Sequence, residues 1–223
     1  MKTLQIAHLQ AAVDAVRLAN GGALPIAAYG SLPDRPETGM VAVSPAILPG
    51  YRKSMCVRVV TCRGSVAAPG LVAGLIPENG SKTMAMLMQT DDADDPDLLN
   101  RLAARELDGK GYAPAIVRAD LKDGSSRLAL AFIAEIWHSD FWAGAPSDAA
   151  LMMSRATGRC GSNVAYLAAV IDFETQVFGH VTPELSEISR HLEAFKSCPE
   201  LDCSPRGEFQ SVAEERRSCL DAL

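Results

Sequence analysis

Lys122-Asp123-Gly124-Ser125 stands between two short runs that are apolar or alternating, 113–119 and 127–137. A turn signal of this kind between such runs predicts a β-hairpin. Segments 23–29, 57–62, 71–76 and 83–88 are also short, apolar or alternating, and bounded by turn residues, so they read as strands. Helical spacing occurs around these strands, not between them in strict βαβ alternation. That pattern excludes a Rossmann fold and predicts a compact α+β architecture, a small mixed β-barrel with flanking helices.

Helices are expected at four places. Leu9, Ala12, Val13 and Val16 follow helical spacing, and Asn20-Gly21-Gly22 makes a C-terminal stop. Asp91 to Asp97 is an acidic run that reads as a solvated loop. Asp95-Pro96 fits an N-cap and first helical position for a helix over about 96–107. A third helix begins near Asn163 and stops at Gly179. A fourth opens at Thr182-Pro183-Glu184 and carries Leu185, Ile188, Leu192 and Phe195 on one face. The expected organisation is a helical extension over 1–22, a domain over 23–196 and a loosely packed tail over 197–223.

Charge and composition narrow the class. A net charge of −6 and a pI near 5.2 argue against a nucleic-acid or polybasic membrane surface. No apolar run has the length of a bilayer span. His8, Gln10, Asp14 and Arg17 break the N-terminal apolar stretch, so no signal peptide is expected. The six cysteines, at 56, 62, 160, 198, 203 and 219, include no CxxC pair, and none of His8, His138, His180 or His191 stands at ligand spacing from them. A metal site is therefore not expected, and the thiols are expected reduced in a cytosol. Cys198 and Cys203 are read as two free surface thiols or a regulatory disulfide.

One carboxylate stands out. On the helix from 96, Leu99, Leu102 and Glu106 are spaced to share an apolar face, while Asp97, Asn100, Arg101 and Arg105 point elsewhere. A carboxylate there is costly unless paired or protonated. Desolvation and the C-terminal end of the helix dipole would both raise its pKa. A Glu tuned in this way can take and return a proton near neutral pH. The alternatives are an ion pair with Arg105 or Lys110, or a frayed end that leaves Glu106 in water.

The motifs YGSL (29–32), PGYRKSM (49–55), CRGSVAAPGLVAGL (62–75), RELDGKGY (105–112) and GSNVAYL (161–167) stand in the order and spacing of a known family. From about Leu24 to Leu192 the chain resembles the ChaC-like γ-glutamylcyclotransferases. The resemblance implies a small barrel that cleaves glutathione into 5-oxoproline and cysteinylglycine without metal or organic cofactor. It implies that Tyr29, Gly30, Ser31 and Leu32 hold the γ-glutamyl group through their backbone, and that Glu106 is the catalytic acid/base. It adds Gly111-Tyr112, Asn163 and Tyr166 to the site. Each tyrosine reads either as a substrate contact or as aromatic core with a satisfied hydroxyl.

Departures from the family pattern are local. Ala28 replaces a Gly that usually precedes YGSL, which would narrow the substrate site. Residues 83–88 replace a more aromatic strand. These changes motivate a second reading, a cyclotransferase for another γ-glutamyl amine or peptide. A third is a non-catalytic binder of γ-glutamyl compounds or of a protein. Ser31 lies in no GxSxG elbow, and Arg63-Gly64-Ser65 lacks the spacing and Lys of a P-loop. Some bacterial members of the family are effectors. Delivery to a host cytosol and a regulatory protein partner are therefore expectations beside that of an ordinary cytoplasmic enzyme.

Overall fold

The computed structural model describes residues 2–90, 97–107 and 111–197. The acidic loop over 91–96, the helix start at Asp95-Pro96, Lys110 and the tail with Cys198 and Cys203 lie outside the described residues.

Five strands close a barrel in the order β1-β3-β2-β4-β5, formed by β1 (Ile26–Ala28), β2 (Met40–Val59), β3 (Gly70–Thr90), β4 (Tyr112–Leu121) and β5 (Ser126–Ala134). Neighbours run antiparallel except at the closure, where β1 meets β5 in parallel at Ile26 and Leu130. The hairpin read at 122–125 joins β4 to β5. Gly124 takes φ +84°, a left-handed value that its missing Cβ permits, and Leu121 N–H bonds Ser125 C=O at 2.9 Å. So small a barrel needs small interior side chains, and Ala46, Ala73, Ala85, Ala119, Ala129 and Ala131 supply them at 3% exposure or less.

The strand expectations missed in both directions: 23–29 shrinks to Ile26–Ala28, while others were too short. The runs at 71–76 and 83–88 belong to one strand, β3, whose exposed middle carries the turn-like Asn79-Gly80. Tyr51 pairs with Pro77 and Pro49 with Lys82, so residues 78–81 swell out of the ladder without ending it. Strand β2 starts 17 residues before the expected 57. Pro45 and Pro49, and register shifts at three places, erase its alternation. It ends at Val59, and β5 ends at Ala134.

Helix α1 (Lys2–Ala19) lies on β4 and β5. Leu9, Ala12, Val13 and Val16 enter a core shared with Leu24, Ile26, Met88, Leu130 and Phe132. Asn20 fastens its C-terminal end by donating to Leu128 C=O at 2.9 Å. Helix α2 (Leu98–Leu102) runs into a π-helical turn, Ala103–Leu107. Three helices cover the other side: α3 (Pro146–Arg155), which the sequence reading missed, α4 (Asn163–Phe178) and α5 (Pro183–Ser197). A two-residue hairpin, β6 (Thr157–Gly158) with β7 (Gly161–Ser162), links α3 to α4. Leu185, Ile188 and Leu192 are buried as their spacing requires. No helix among the described residues is long and apolar enough to cross a membrane.

Buried charge fastens these helices to the barrel. Lys53 on β2 is 1% exposed and meets Glu174 of α4, 0% exposed, at 2.6 Å. Glu174 also accepts from Thr182 N–H at 2.6 Å and Thr182 Oγ1 at 2.8 Å. Burial pulls the Lys53 pKa down, and Glu174 pulls it back. Glu184 of α5 accepts from Ser54 Oγ at 2.7 Å and Met55 N–H at 2.9 Å. Glu174→Gln would leave the Lys53 ammonium buried without a counter-charge. It should cost about 3–5 kcal/mol in chemical denaturation. A loss below about 1 kcal/mol would be that of a solvated pair.

Candidate active site

Strand β1 delivers the chain into the turn 29–32 at the mouth of a cavity of about 570 Å³. Ala28, Tyr29, Gly30, Ser31, Leu32, Glu106, Tyr112 and Tyr166 all line it; Asn163 does not. Gly30 is needed for a close approach. A Cβ there would stand 3.3 Å from the Tyr166 hydroxyl, tighter than ordinary contact.

The tyrosine hydroxyls serve the main chain. Beyond β1, one edge of β3 pairs with no strand among the described residues, and side chains satisfy backbone groups at Leu71 and Ala73. Asn163 accepts from Leu71 N–H at 2.6 Å and donates to Leu71 C=O at 2.7 Å. Tyr166 accepts from Ala73 N–H at 3.0 Å, and Tyr112 donates to Ala73 C=O at 2.5 Å. Tyr29 donates to Phe132 C=O on β5. The rings thus form a fixed aromatic wall, and Asn163, fully buried, positions β3 from behind it.

Glu106 faces this wall from the π turn. The expected helix face does not hold, because a π turn places its residues at a wider spacing than an α-helix. Leu98, Leu102 and Leu107 are the buried set, and Leu99 and Glu106 are half-buried. Arg105, expected to point away, lines the cavity beside Glu106. Its Nε lies 3.1 Å from Glu106 Oε1, and its Nη1 3.0 Å from Glu37 Oε1. Its Nη2 donates to Ser31 Oγ at 3.3 Å. Arg105 thereby joins the turn and the carboxylate. Sequence spacing gave the ion pair with Arg105 only as an alternative for Glu106.

The electrostatics agree with this convergence. Burial pushes the Tyr29 and Tyr112 phenols well above 10.0, with Glu106 adding to both shifts. Tyr166 is pushed up to about 12 by burial and Glu106, against the pull of its bond to Ala73 and of Arg63. The phenols are neutral donors and acceptors at physiological pH.

One cysteine expectation is overturned. Cys62, in the loop between β2 and β3, is bonded to Cys160 of the β6–β7 turn, with a Cα–Cα separation of 4.9 Å. Cys160 N–H bonds Cys62 C=O at 2.8 Å and Arg159 N–H bonds Thr61 C=O at 3.0 Å, so strand-like contacts bring the loops together. Both half-cystines line the cavity. Their 98-residue separation hid the pairing from local spacing. Cys56 is a buried free thiol, pushed up to about 12 mainly by burial.

Asn163→Ala would strip partners from two buried backbone groups. It should cost about 2–5 kcal/mol in denaturant titrations. Tyr166→Phe, which loses one hydroxyl, should cost about 1–2 kcal/mol. Equal, small losses would show that water replaces both partners. The phenols also fix an alkaline limit. Tyr166 ionises at 10.0 when unfolded and near 12 when folded, so the unfolded chain releases its proton first. Stability from this group is full below about pH 10 and lost as pH rises towards 12. Tyrosinate absorbance and thermal unfolding should therefore change together across that range. Ionisation of these rings near pH 10 without unfolding would contradict it.

Comparison with known proteins places the chain. It is 27% identical over 140 residues to the glutathione-specific γ-glutamylcyclotransferase of Escherichia coli (strain K12), covering 62% of this chain and 60% of that protein. The match thus spans less than two thirds of that relative's length. Two crystal structures of the yeast γ-glutamyl cyclotransferase specific to glutathione superpose with TM-scores of 0.69 and 0.68 at 18% and 19% identity. They cover 78% of this chain and 96% and 99% of theirs, a likeness of fold. The sequence profile of the family described as ChaC-like protein matches residues 24–194, the barrel together with the turn 29–32 and Glu106, and the chain belongs to that family.

Proposed function

We propose that the chain is a γ-glutamylcyclotransferase that degrades glutathione to 5-oxoproline and cysteinylglycine. The single observation that carries this reading is the Arg105 bridge. It holds the Ser31 hydroxyl and the Glu106 carboxylate, distant in sequence, on one cavity wall. The names of the E. coli and yeast relatives support the choice of glutathione.

A γ-glutamyl amide contains its own nucleophile. Its α-amine need only fold back onto the γ-carbonyl to close a five-membered ring, so holding it in that shape is most of the catalysis. The backbone N–H groups at Gly30 and Ser31 receive the α-carboxylate, where the missing Cβ of Gly30 permits a close approach. The buried rings of Tyr29, Tyr112 and Tyr166 form a dry, rigid wall around the folded head. Glu106 takes a proton from the α-ammonium, and the freed lone pair bonds the γ-carbon. The tetrahedral carbon then collapses, the bond to the cysteine nitrogen breaks, and that nitrogen leaves with the proton from Glu106. No water is consumed, and the second proton that the ring nitrogen sheds passes to the product amine or to solvent. Arg105 keeps the carboxylate aimed while leaving one of its oxygens for the exchange.

Glu106→Gln keeps the shape of the side chain and removes the proton carrier. Release of 5-oxoproline from glutathione should fall by about two to four orders of magnitude with an unchanged unfolding transition. Activity near that of the wild type would remove Glu106 from the mechanism.

A further inference from the structure

The cavity wall carries a second group of charges that the chemistry above does not use. Arg35, Arg58, Arg63 and Arg159 line it. Arg35 lies 3.5 Å from Asp34, and Arg58 lies 3.4 Å from Asp140, so each already has an acid. Arg63 and Arg159 form no ion pair among the described residues; Asp34 acts on Arg63 only at a distance, and the neighbouring Arg35 cation opposes it.

Arg63 is the unusual one. It is 7% exposed, yet among the described residues its side chain makes one hydrogen bond, from Nη1 to Ser162 C=O at 3.3 Å, and lies over the face of Tyr166, 5.5 Å from Cζ to the ring centroid. A guanidinium this buried normally faces an anion, and stacking on a ring offsets only part of its lost hydration. Arg159 is exposed. The two are chain neighbours of the two half-cystines, Arg63 after Cys62 and Arg159 before Cys160. The crosslink therefore fixes two cation-bearing loops side by side on the wall.

Their place relative to the turn 29–32 is set by Tyr166. The hydroxyl of that ring lies beside Gly30 and the ring face lies against Arg63. The arginine is thus one aromatic ring away from the turn that receives the γ-glutamyl head. That head is a zwitterion with no net charge, and the turn takes its carboxylate. On a γ-glutamyl peptide the remaining anion is the C-terminal carboxylate of the part that leaves.

We propose that Arg63 and Arg159 form a clamp for this C-terminal carboxylate, which makes the substrate class γ-glutamyl peptides and disfavours γ-glutamyl amines. The inference rests on the cyclotransferase reading. The clamp acts on the intact substrate, so it lowers KM more than it raises kcat.

The test compares glutathione with its glycine carboxamide, which differs by that one charge, using the full chain and 5-oxoproline release. The wild type should favour glutathione by about ten- to a hundredfold in kcat/KM, mainly through KM. Arg159→Gln and Arg63→Met should each shrink this preference to within about threefold, with the carboxamide rate little changed. Arg63→Lys should keep part of it. Arg159→Gln alters an exposed side chain, so it decides the matter if Arg63→Met fails to fold. A wild-type preference near one, a preference that survives Arg159→Gln, or equal loss on both substrates would overturn the clamp. If the wild type releases 5-oxoproline from neither compound, the cyclotransferase reading fails on its own. The clamp is then decided by calorimetric affinity for the two compounds, where the same ratio supports it and equal or absent binding overturns it.

Discussion

A β-strand has two edges, and β3 finds a strand for only one of them over residues 71–75. Strand β2 occupies one side along this stretch, while β1 covers the other only at Met86–Met88. Buried N–H and C=O groups at Leu71 and Ala73 must find partners elsewhere. Asn163 and Tyr166 reach them from the first two turns of α4, and Tyr112 reaches them from the start of β4. The placement of α4 against the barrel and the aromatic wall of the cavity therefore follow from one unsatisfied edge. Residues that resemblance assigns to substrate are held rigid because the backbone requires their polar atoms.

The rest of the site is built on half-buried charge. Arg105 is shared among Glu37, Glu106 and Ser31, which ties the segment before β2, the π turn and the β1 turn together. On the far side of the barrel, Lys53–Glu174 and the bonds to Glu184 hold α4 and α5 to β2. The first network lies at the cavity; in the second, Lys53 and Glu174 are sealed from water and Glu184 is partly exposed. Strand β2 carries the second network and also leads into the loop of Cys62 and Arg63, so the helical layer and the cavity rim share one support.

The sequence made much of this legible, for identifiable reasons. Helices α1, α4 and α5 carry uninterrupted apolar spacing and clear stops, such as Asn20-Gly21 and Gly179. The β4–β5 hairpin was marked by its turn. The missed elements break a local rule. Pro45, Pro49 and the bulges hide the first part of β2, and an exposed Asn-Gly inside β3 looks like the end of a strand. The π turn breaks the 3.6-residue period, and so misplaces Arg105 and Glu106. The Cys62–Cys160 bond and the Lys53–Glu174 pair are decided by tertiary approach alone. The turn 29–32 and Glu106 were legible through motif order, but the cavity side of Arg105 and the main-chain duties of the tyrosines were not.

The barrel's closure has a thermodynamic corollary. Strand β1 is three residues long, and its parallel contact with β5 rests on Ile26 and Leu130, with Leu130 N–H bonding Pro25 C=O at 2.9 Å. The turn 29–32 is the direct continuation of that short seam. A ligand gripped by the turn also grips the seam, so occupancy and barrel closure are linked equilibria. The fluctuation that opens the barrel is then the one that dismantles the turn 29–32, and any molecule bound there suppresses both at once.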